Sequence, residues 1–155
     1  MLFGDPYRFA VWFDRVESWS VKGFDNGCIA FFVNGAMFFS TKSTLGVDLY
    51  SLSKLPAVTA SVDDDHIFHM PLKDAYSELC TRAFPSMGSD VEENDYTHLV
   101  SACSLLDEGH NFFLVEYGSQ GRLIYGVDDD PSSVFDIYLE RGEFRRVIRE
   151  ATSMI

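Results

Sequence analysis

Residues 28–40 read CIAFFVNGAMFFS, in which Asn34-Gly35 separates two apolar runs. Asn-Gly is the strongest short signal for a β-hairpin, because a type I′ turn needs positive φ at both central residues. The stretch therefore predicts two antiparallel strands. Just upstream, residues 7–13 alternate between an apolar side and a mixed side, which is the period of two typical of a third strand.

Further elements follow from local signals along the rest of the chain. Residues 44–55 predict a short helix behind Thr44 as N-cap, and residues 70–85 predict the clearest helix, with Pro71 at its first position. Residues 99–109 fit a helix or a strand running into a turn, so both stay open. The remaining predictions are a hairpin over 111–128 closed by Gly118 to Gly121, a strand over 134–142 with Phe135, Ile137 and Leu139 on one face, and an amphipathic helix from 143 with Phe144, Val147, Ile148 and Ala151 at helical spacing.

Tight turns join these strands, and no βαβ rhythm or internal repeat is present. We therefore expect an α+β fold, with an antiparallel or mixed sheet of about five or six strands and helices packed mainly on one face. The chain has 155 residues, 46% of them apolar, so we expect residues 1–155 to form a single domain with a full core.

The charge of the chain is strongly uneven. Its net charge is −12, and residues 63–130 hold fifteen acidic residues against Lys73, Arg82 and Arg122. Acidic and basic residues balance on either side of this segment. Phosphate binding requires a basic surface, so nucleic acid and anionic membranes are excluded as expected partners, and a basic protein is favoured.

Two VDDD triplets stand out within the acidic segment. Asp63, Asp64 and Asp65 precede His66 and His69, and these five side chains are the candidates for a metal site. The alternate acids, central Gly and terminal Glu of a Ca²⁺ loop are absent, and so is HExxH. We therefore interpret this triplet as a solvated turn, with a metal-dependent hydrolase as the alternative. Asp128, Asp129 and Asp130 precede Pro-Ser-Ser and predict a turn between two strands.

The sequence contains no GxSxG, P-loop or GxGxxG motif, so we expect a protein that is not an enzyme and has no cofactor. Cys28, Cys80 and Cys103 are odd in number and far apart, which predicts reduced core thiols. The longest apolar stretches are too short to span a membrane, and the N-terminal residues lack the basic-then-apolar pattern of a signal peptide. We therefore expect a cytoplasmic protein.

Several segments together resemble a known family. They are LFGDPYRFAVWFDRVESW, NGCIAFFVNG, TLGVDLYSL, RAFPS, ENDY and SLLDEGHNFFLVEYGSQGRLIYG, and in this order they resemble family 42 of the bacterial polymorphic-toxin immunity proteins, of the contact-dependent inhibition type. The resemblance implies a small cytoplasmic inhibitor that is encoded beside a toxin and binds the toxin's C-terminal domain. It implies no activity of the chain's own and supplies no functional residue.

A nuclease toxin has a basic cleft, which an acidic inhibitor can occupy. The partner-binding residues expected on this basis are Asp63, Asp64, Asp65, Asp90, Glu92, Glu93, Asp95, Asp128, Asp129 and Asp130. The non-functional alternative for each of these residues is that it lies in a solvated loop and only keeps the protein soluble. Trp12, Tyr125 or Tyr138 is a candidate aromatic anchor beside them. An acidic nucleic-acid mimic that blocks a host DNA-binding protein shares these electrostatics and stays a further alternative.

Overall fold

The Asn-Gly hairpin lies in the first of two sheets in the computed structural model, which describes residues 1–90 and 93–154. This first sheet has the antiparallel order β1 (Leu2–Gly4), β2 (Phe9–Arg15), β3 (Asn26–Val33), β4 (Ala36–Thr44). Asn34 has φ 50° and Gly35 has φ 82°, so the turn has the two positive φ angles that the sequence predicts. A short 3-10 helix, Glu17–Trp19, follows β2.

The second sheet is a three-stranded antiparallel meander. It contains β5 (His110–Tyr117), β6 (Gln120–Val127) and β7 (Asp130–Glu140) in that order. The predicted hairpin and the predicted following strand are therefore both confirmed.

The α+β class is confirmed, but the expectation of one sheet of five or six strands is wrong. More than sixty residues and five helices separate β4 from β5, so no tight turn brings the two strand groups edge to edge. The sheets stack face to face instead: the ring centroids of Phe31 and Phe112 are 5.1 Å apart, and those of Phe38 and Tyr125 are 4.2 Å apart. The main core lies between them.

In the described residues, six α-helices complete the fold. They are α1 (Leu45–Lys54), α2 (Pro56–Thr59), α3 (Asp65–Phe68), α4 (Leu72–Ala83), α5 (Cys103–Asp107) and α6 (Glu143–Thr152). Residues 99–109, for which both a helix and a strand were considered, contain some of each: Leu99 forms an isolated antiparallel bridge with Phe113, and α5 follows. None of the helices in the described part of the chain is long and apolar enough to cross a membrane.

Two buried clusters organise these helices. Helices α1, α2, α5 and α6 contribute to the main core, where Phe144 packs on Phe9 with ring centroids 4.6 Å apart. Helices α3 and α4 cover the opposite face of the second sheet through Ile67 and Leu79, which pack with Phe113. The molecule is therefore layered in the order first sheet, second sheet, α3 and α4.

Three local predictions need correction. Thr44 precedes α1 as expected, but its hydroxyl lies 3.1 Å from Asn26 Oδ1 and makes no cap bond to the helix. Pro71 occupies the position before the first turn of α4 instead of the first helical position. Cys28 and Cys80 are half-buried free thiols, whereas Cys103 is exposed at the start of α5, so the core interpretation is wrong for Cys103.

Candidate functional site

Helix α4 is the meeting point of the acidic stretches that the sequence singles out. Asp64 Oδ2 lies 3.7 Å from Arg82 Nη1 near the end of the helix. The amide of Asp95 donates to the Arg82 carbonyl at 2.8 Å. On the next turns back, the Tyr76 hydroxyl donates to the Asp128 carbonyl at 2.6 Å. Three stretches far apart in the chain thus contact one helix, and we call their combined surface the acidic surface.

The first triplet is held by specific contacts. Asp63 forms a backbone bridge with Glu116 and a side-chain ion pair with Arg141, whose hydrogen bonds lower the pKa of the Asp63 carboxyl. Asp64 caps α3 by accepting a 2.9 Å hydrogen bond from the Ile67 amide. Backbone pairing and helix capping hold Asp63 and Asp64, so the predicted turn is wrong for both residues, whereas the predicted exposure is correct for Asp63. Asp65 is exposed, and its carboxylate lies 2.7 Å from His69 Nδ1.

The loop after α4 carries the next carboxylates. Asp90, Glu93 and Asp95 are exposed, and Glu92 lies outside the described residues. Asp95 accepts hydrogen bonds from the Thr97 hydroxyl at 2.6 Å and the Thr97 amide at 2.9 Å, which lower the pKa of its carboxyl. Asn94 donates to the Ala83 carbonyl at 2.8 Å and so fastens the loop to the end of α4.

Asp128 and Asp129 form the β6–β7 turn, as predicted, and Asp130 begins β7. Asp128 has φ 44° in this turn, and Asp128, Asp129 and Asp130 are all exposed. The turn can approach α4 because Gly126 has no side chain: a Cβ there would lie 2.3 Å from the Tyr76 ring. The Ser132 hydroxyl lies 2.7 Å from the Asp130 carboxylate and lowers its pKa.

Arginines neutralise only part of the acidic surface. Arg141 pairs with Asp63, and Arg82 pairs with both Asp64 and Glu78. Within residues 1–90 and 93–154, no ion pair involves the remaining exposed carboxylates of the three stretches, apart from the Asp65–His69 contact; these are Asp90, Glu93, Asp95, Asp128, Asp129 and Asp130. Six carboxylates around α4 therefore face solvent without a direct ion pair, although Arg82 lies near enough to Asp95 to lower its pKa further.

A groove of about 550 Å³ separates α4 from the β6–β7 turn. Tyr76 and Cys80 line it from the helix, and Asp128 and Asp129 line it from the turn. Burial raises the pKa of the Tyr76 hydroxyl and of the Cys80 thiol, so both stay protonated at neutral pH. Lys73 lines it as well, so the groove combines neutral groups with two carboxylates and one cation.

A buried ring, Phe68, and the half-exposed rings around it adjoin the first triplet. The Phe68 ring centroid lies 5.6 Å from that of Tyr117 and 5.7 Å from that of Tyr138, and the His69 ring lies 4.8 Å from Tyr117. Tyr117 is 44% exposed and Tyr138 is 47% exposed. Because His69 also contacts Asp65, these rings are continuous with the acidic surface. We call them the aromatic patch.

Comparison with known proteins decides the family. A model of immunity protein 42 matches residues 1–153. The chain belongs to the immunity protein 42 family. It is also similar to a crystal structure of CdiI from Burkholderia dolosa, with 50% sequence identity, a TM-score of 0.95 and full coverage of both chains. No curated protein matches the chain at a significant level. The chain is thus an immunity protein that neutralises a cognate toxin.

Two of the three aromatic anchors predicted for this immunity protein lie outside the aromatic patch. Tyr125 is 4% exposed in the main core, where burial raises its pKa to about 12, so it cannot reach a partner. Trp12 is half-buried on the first sheet, away from α4. Tyr138 is the candidate that the structure places beside the acidic residues.

Sequence reasoning also missed acidic residues that point inward. Glu116 is 1% exposed and accepts hydrogen bonds from the Val62 amide at 3.1 Å and from Arg145 at 2.9 Å. Asp48 is equally buried and accepts from the Ser104 amide at 2.9 Å. The unbroken apolar run FFLV before Glu116 is the available signal, because a continuous apolar run is typical of a strand buried on both faces.

The carboxylates of the alternative metal site near residue 65 already contact other protein groups. Asp63 binds Arg141, Asp64 binds the Ile67 amide, and Asp65 contacts His69. In the part of the chain that the structure describes, no group of three His, Cys, Asp or Glu residues is arranged to hold a metal ion.

Proposed function

We propose that this immunity protein binds a basic toxin domain, of the nuclease class, and that the acidic surface covers the toxin's active site or the surface next to it. The observation that carries the proposal is the convergence of three separate acidic stretches on α4, with six exposed carboxylates that have no basic partner among the described residues. The contact residues we propose are Asp63, Asp64, Asp65, Asp90, Glu92, Glu93, Asp95, Asp128, Asp129 and Asp130.

The class of toxin follows from electrostatics. A nuclease cleft holds a phosphate backbone with Lys and Arg side chains, so its positive potential matches a dense group of carboxylates. Complementary charge raises association rates from about 10⁵–10⁶ towards 10⁸ M⁻¹s⁻¹ at low salt. Fast capture protects a cell because a free nuclease damages nucleic acid for as long as it remains unbound. The proposed setting is the cytoplasm, where that substrate is.

Slow release requires buried contacts in addition to charge. Tyr117 and Tyr138 present amphipathic rings that a partner can cover, and Tyr is enriched among residues that dominate binding energy. The groove beside α4 suits a Lys or Arg side chain of the toxin, because its walls accept an aliphatic stem and the two carboxylates of Asp128 and Asp129 outnumber the single cation of Lys73. We expect an interface of about 1,600 Å².

Neutralisation by this route requires no catalysis by the immunity protein and no cofactor. The inhibitor acts by occupancy alone, so its effect is stoichiometric with the toxin. The metal-dependent hydrolase gains no support, since the carboxylates it needs are engaged with protein groups.

Co-expression tests the proposal. The toxin domain encoded beside this gene is expressed with and without the immunity protein, and growth, complex formation and nucleic-acid cleavage are measured. We expect protection, a one-to-one complex, and loss of the complex when excess nucleic acid competes for the cleft. Protection without competition would place the contact outside the active site. Absence of both protection and complex would contradict the proposal, and capture of a host DNA-binding protein instead would favour the nucleic-acid mimic.

A further inference from the structure

The outer face of the first sheet is apolar and exposed. Strand register aligns Leu2, Trp12, Ala30 and Phe39 in one row, and Ala10, Phe32 and Met37 in the next. Leu2 is 49%, Met37 is 52% and Phe39 is 49% exposed. The large side chains of both rows belong to neither buried cluster of the described residues. We call these seven residues the outer apolar face.

The outer apolar face contains no charged residue. Asp14 is the acidic residue nearest in register, opposite Cys28 at the end of the face. The layer order places this face at the opposite end of the molecule from α4 and the acidic surface. A cationic toxin drawn to α4 therefore finds no complementary charge here. A contiguous exposed apolar patch on a soluble protein usually marks an interaction site.

We propose that two copies of this chain associate through their outer apolar faces. Each chain carries a net charge of −12, so two copies repel each other except where their surfaces are uncharged and their carboxylates point apart. The outer apolar face is itself uncharged, the acidic surface around α4 lies on the opposite side, and near the first sheet Arg15 pairs with both Glu17 and Asp25. Two-fold pairing also presents each face with an identical one, which is the commonest arrangement of homo-oligomers.

The size of the face is consistent with a reversible dimer. Seven residues of β2 at about 3.3 Å each and four strands at about 4.8 Å spacing give a sheet of roughly 23 by 19 Å. Two such faces together cover about 900 Å², which is below the range of stable interfaces and fits a weak, transient contact. We therefore expect micromolar affinity, and sheets packed about 10 Å apart.

Sedimentation equilibrium on the full chain tests this proposal. We expect the mass to rise from 17.5 kDa towards twice that value as the concentration increases from about 1 to about 100 μM. High salt should tighten the dimer, because it screens the repulsion between two acidic chains while leaving apolar contacts intact. The variant Phe39→Lys should weaken dimerisation at least about tenfold by placing a cation in the contact.

A matched control separates the face from general surface effects. Val47 on α1 is 52% exposed, so Val47→Lys introduces the same charge at similar exposure away from the face and should leave the dimer unchanged. Thermal melting establishes that both variants fold; if Phe39→Lys does not, Met37→Lys replaces it. A monomer at every concentration in both salts would overturn the proposal. A dimer that Phe39→Lys does not weaken would also overturn it. So would a monomeric wild type whose toxin binding is lost in Phe39→Lys, because the face would then bind the toxin.

Discussion

At the scale of single residues, Arg122 positions the first acidic triplet. It is 3% exposed and donates to Asp136 at 2.8 Å, to the Phe68 carbonyl at 3.1 Å and to the Met70 carbonyl at 2.7 Å. These bonds connect the end of α3 to the second sheet. The arginine therefore sets where Asp65 and the aromatic patch lie relative to the sheet.

Replacing Arg122 should destabilise the fold. In Arg122→Leu, Asp136 and the carbonyls of the α3–α4 connection lose their donor while remaining largely buried, so we expect a loss of about 3–5 kcal/mol in urea unfolding. Arg146→Leu is the matched control: its exposed pair with Glu150 should contribute less than about 1 kcal/mol. Equal losses for the two variants would contradict the role of Arg122.

Tyr138 is the residue whose truncation should most affect toxin release. Removing its ring in Tyr138→Ala should raise the dissociation rate about tenfold to a hundredfold, because it deletes an aromatic anchor beside the carboxylates. Surface plasmon resonance with the toxin domain measures this rate. Tyr50→Ala, at a tyrosine 60% exposed on α1, serves as the control. If both variants release the toxin at the wild-type rate, the aromatic patch is not part of the interface.

At the scale of elements, α6 ties distant segments together. Arg145 donates to the Ala60 carbonyl at 2.7 Å and Arg149 to the Val58 carbonyl at 2.8 Å, which holds the end of α2. At its start, Glu143 accepts two hydrogen bonds from Arg8 at 2.8 and 2.6 Å. These bonds from Arg8 lower the pKa of the Glu143 carboxyl below its usual range.

This shift makes part of the stability pH-dependent. A carboxyl whose folded pKa is below its unfolded value stabilises the fold above the unfolded pKa, and the effect is lost as pH falls through the folded pKa. We expect Glu143→Gln to be less stable than the wild type by roughly 1 kcal/mol at pH 7, allowing for the partial exposure of the pair, and this difference to be smaller at about pH 3, which is below the ordinary pKa of Glu. Urea unfolding at both pH values measures the difference. Glu150→Gln should change little, and a constant difference across pH would contradict the assignment.

Elements with complete local signals were predictable from sequence. The two hairpins, α4 and α6 each combine a periodic apolar pattern with turn or proline residues at their ends, and the structure contains all of them. The two-sheet arrangement was not predictable, because it depends on pairing between strands separated by five helices. The 99–109 stretch was ambiguous since Leu99 bridges β5 while the residues after it form α5.

The candidate site was predictable only in part, for a similar reason. Composition identifies the acidic segment, but Arg141, which neutralises Asp63, lies 78 residues away in sequence. The inward direction of Glu116 depends on Arg145 from α6. Sequence alone therefore overstates the charge available to a partner and does not show that the three stretches meet at α4.

At the scale of the whole molecule, charge and apolar surface are separated. The acidic surface lies on the α3 and α4 layer, and the outer apolar face lies on the opposite sheet. Steering by charge acts over about a Debye length, near 8 Å at physiological ionic strength, so the local density of carboxylates matters more than net charge. Toxin capture should therefore depend on which carboxylates are removed.

Two charge-matched variants separate local density from net charge. The first replaces Asp90, Glu92, Glu93 and Asp95 by Asn or Gln; the second replaces Asp5, Asp14, Glu17 and Asp25, which are exposed on the side of the first sheet. Both change the net charge equally. Only the first should slow toxin association, because Asp90, Glu93 and Asp95 belong to the acidic surface around α4.

The association rate constant of toxin and immunity protein, measured by stopped-flow fluorescence across ionic strength, tests the central claim most directly. We expect the wild-type value to fall at least about tenfold between low and high salt, the acidic-loop variant to start lower and fall less, and the second variant to follow the wild type. A wild-type rate constant that is independent of salt, or equal effects of the two variants, would contradict an acidic surface around α4 that captures a basic toxin.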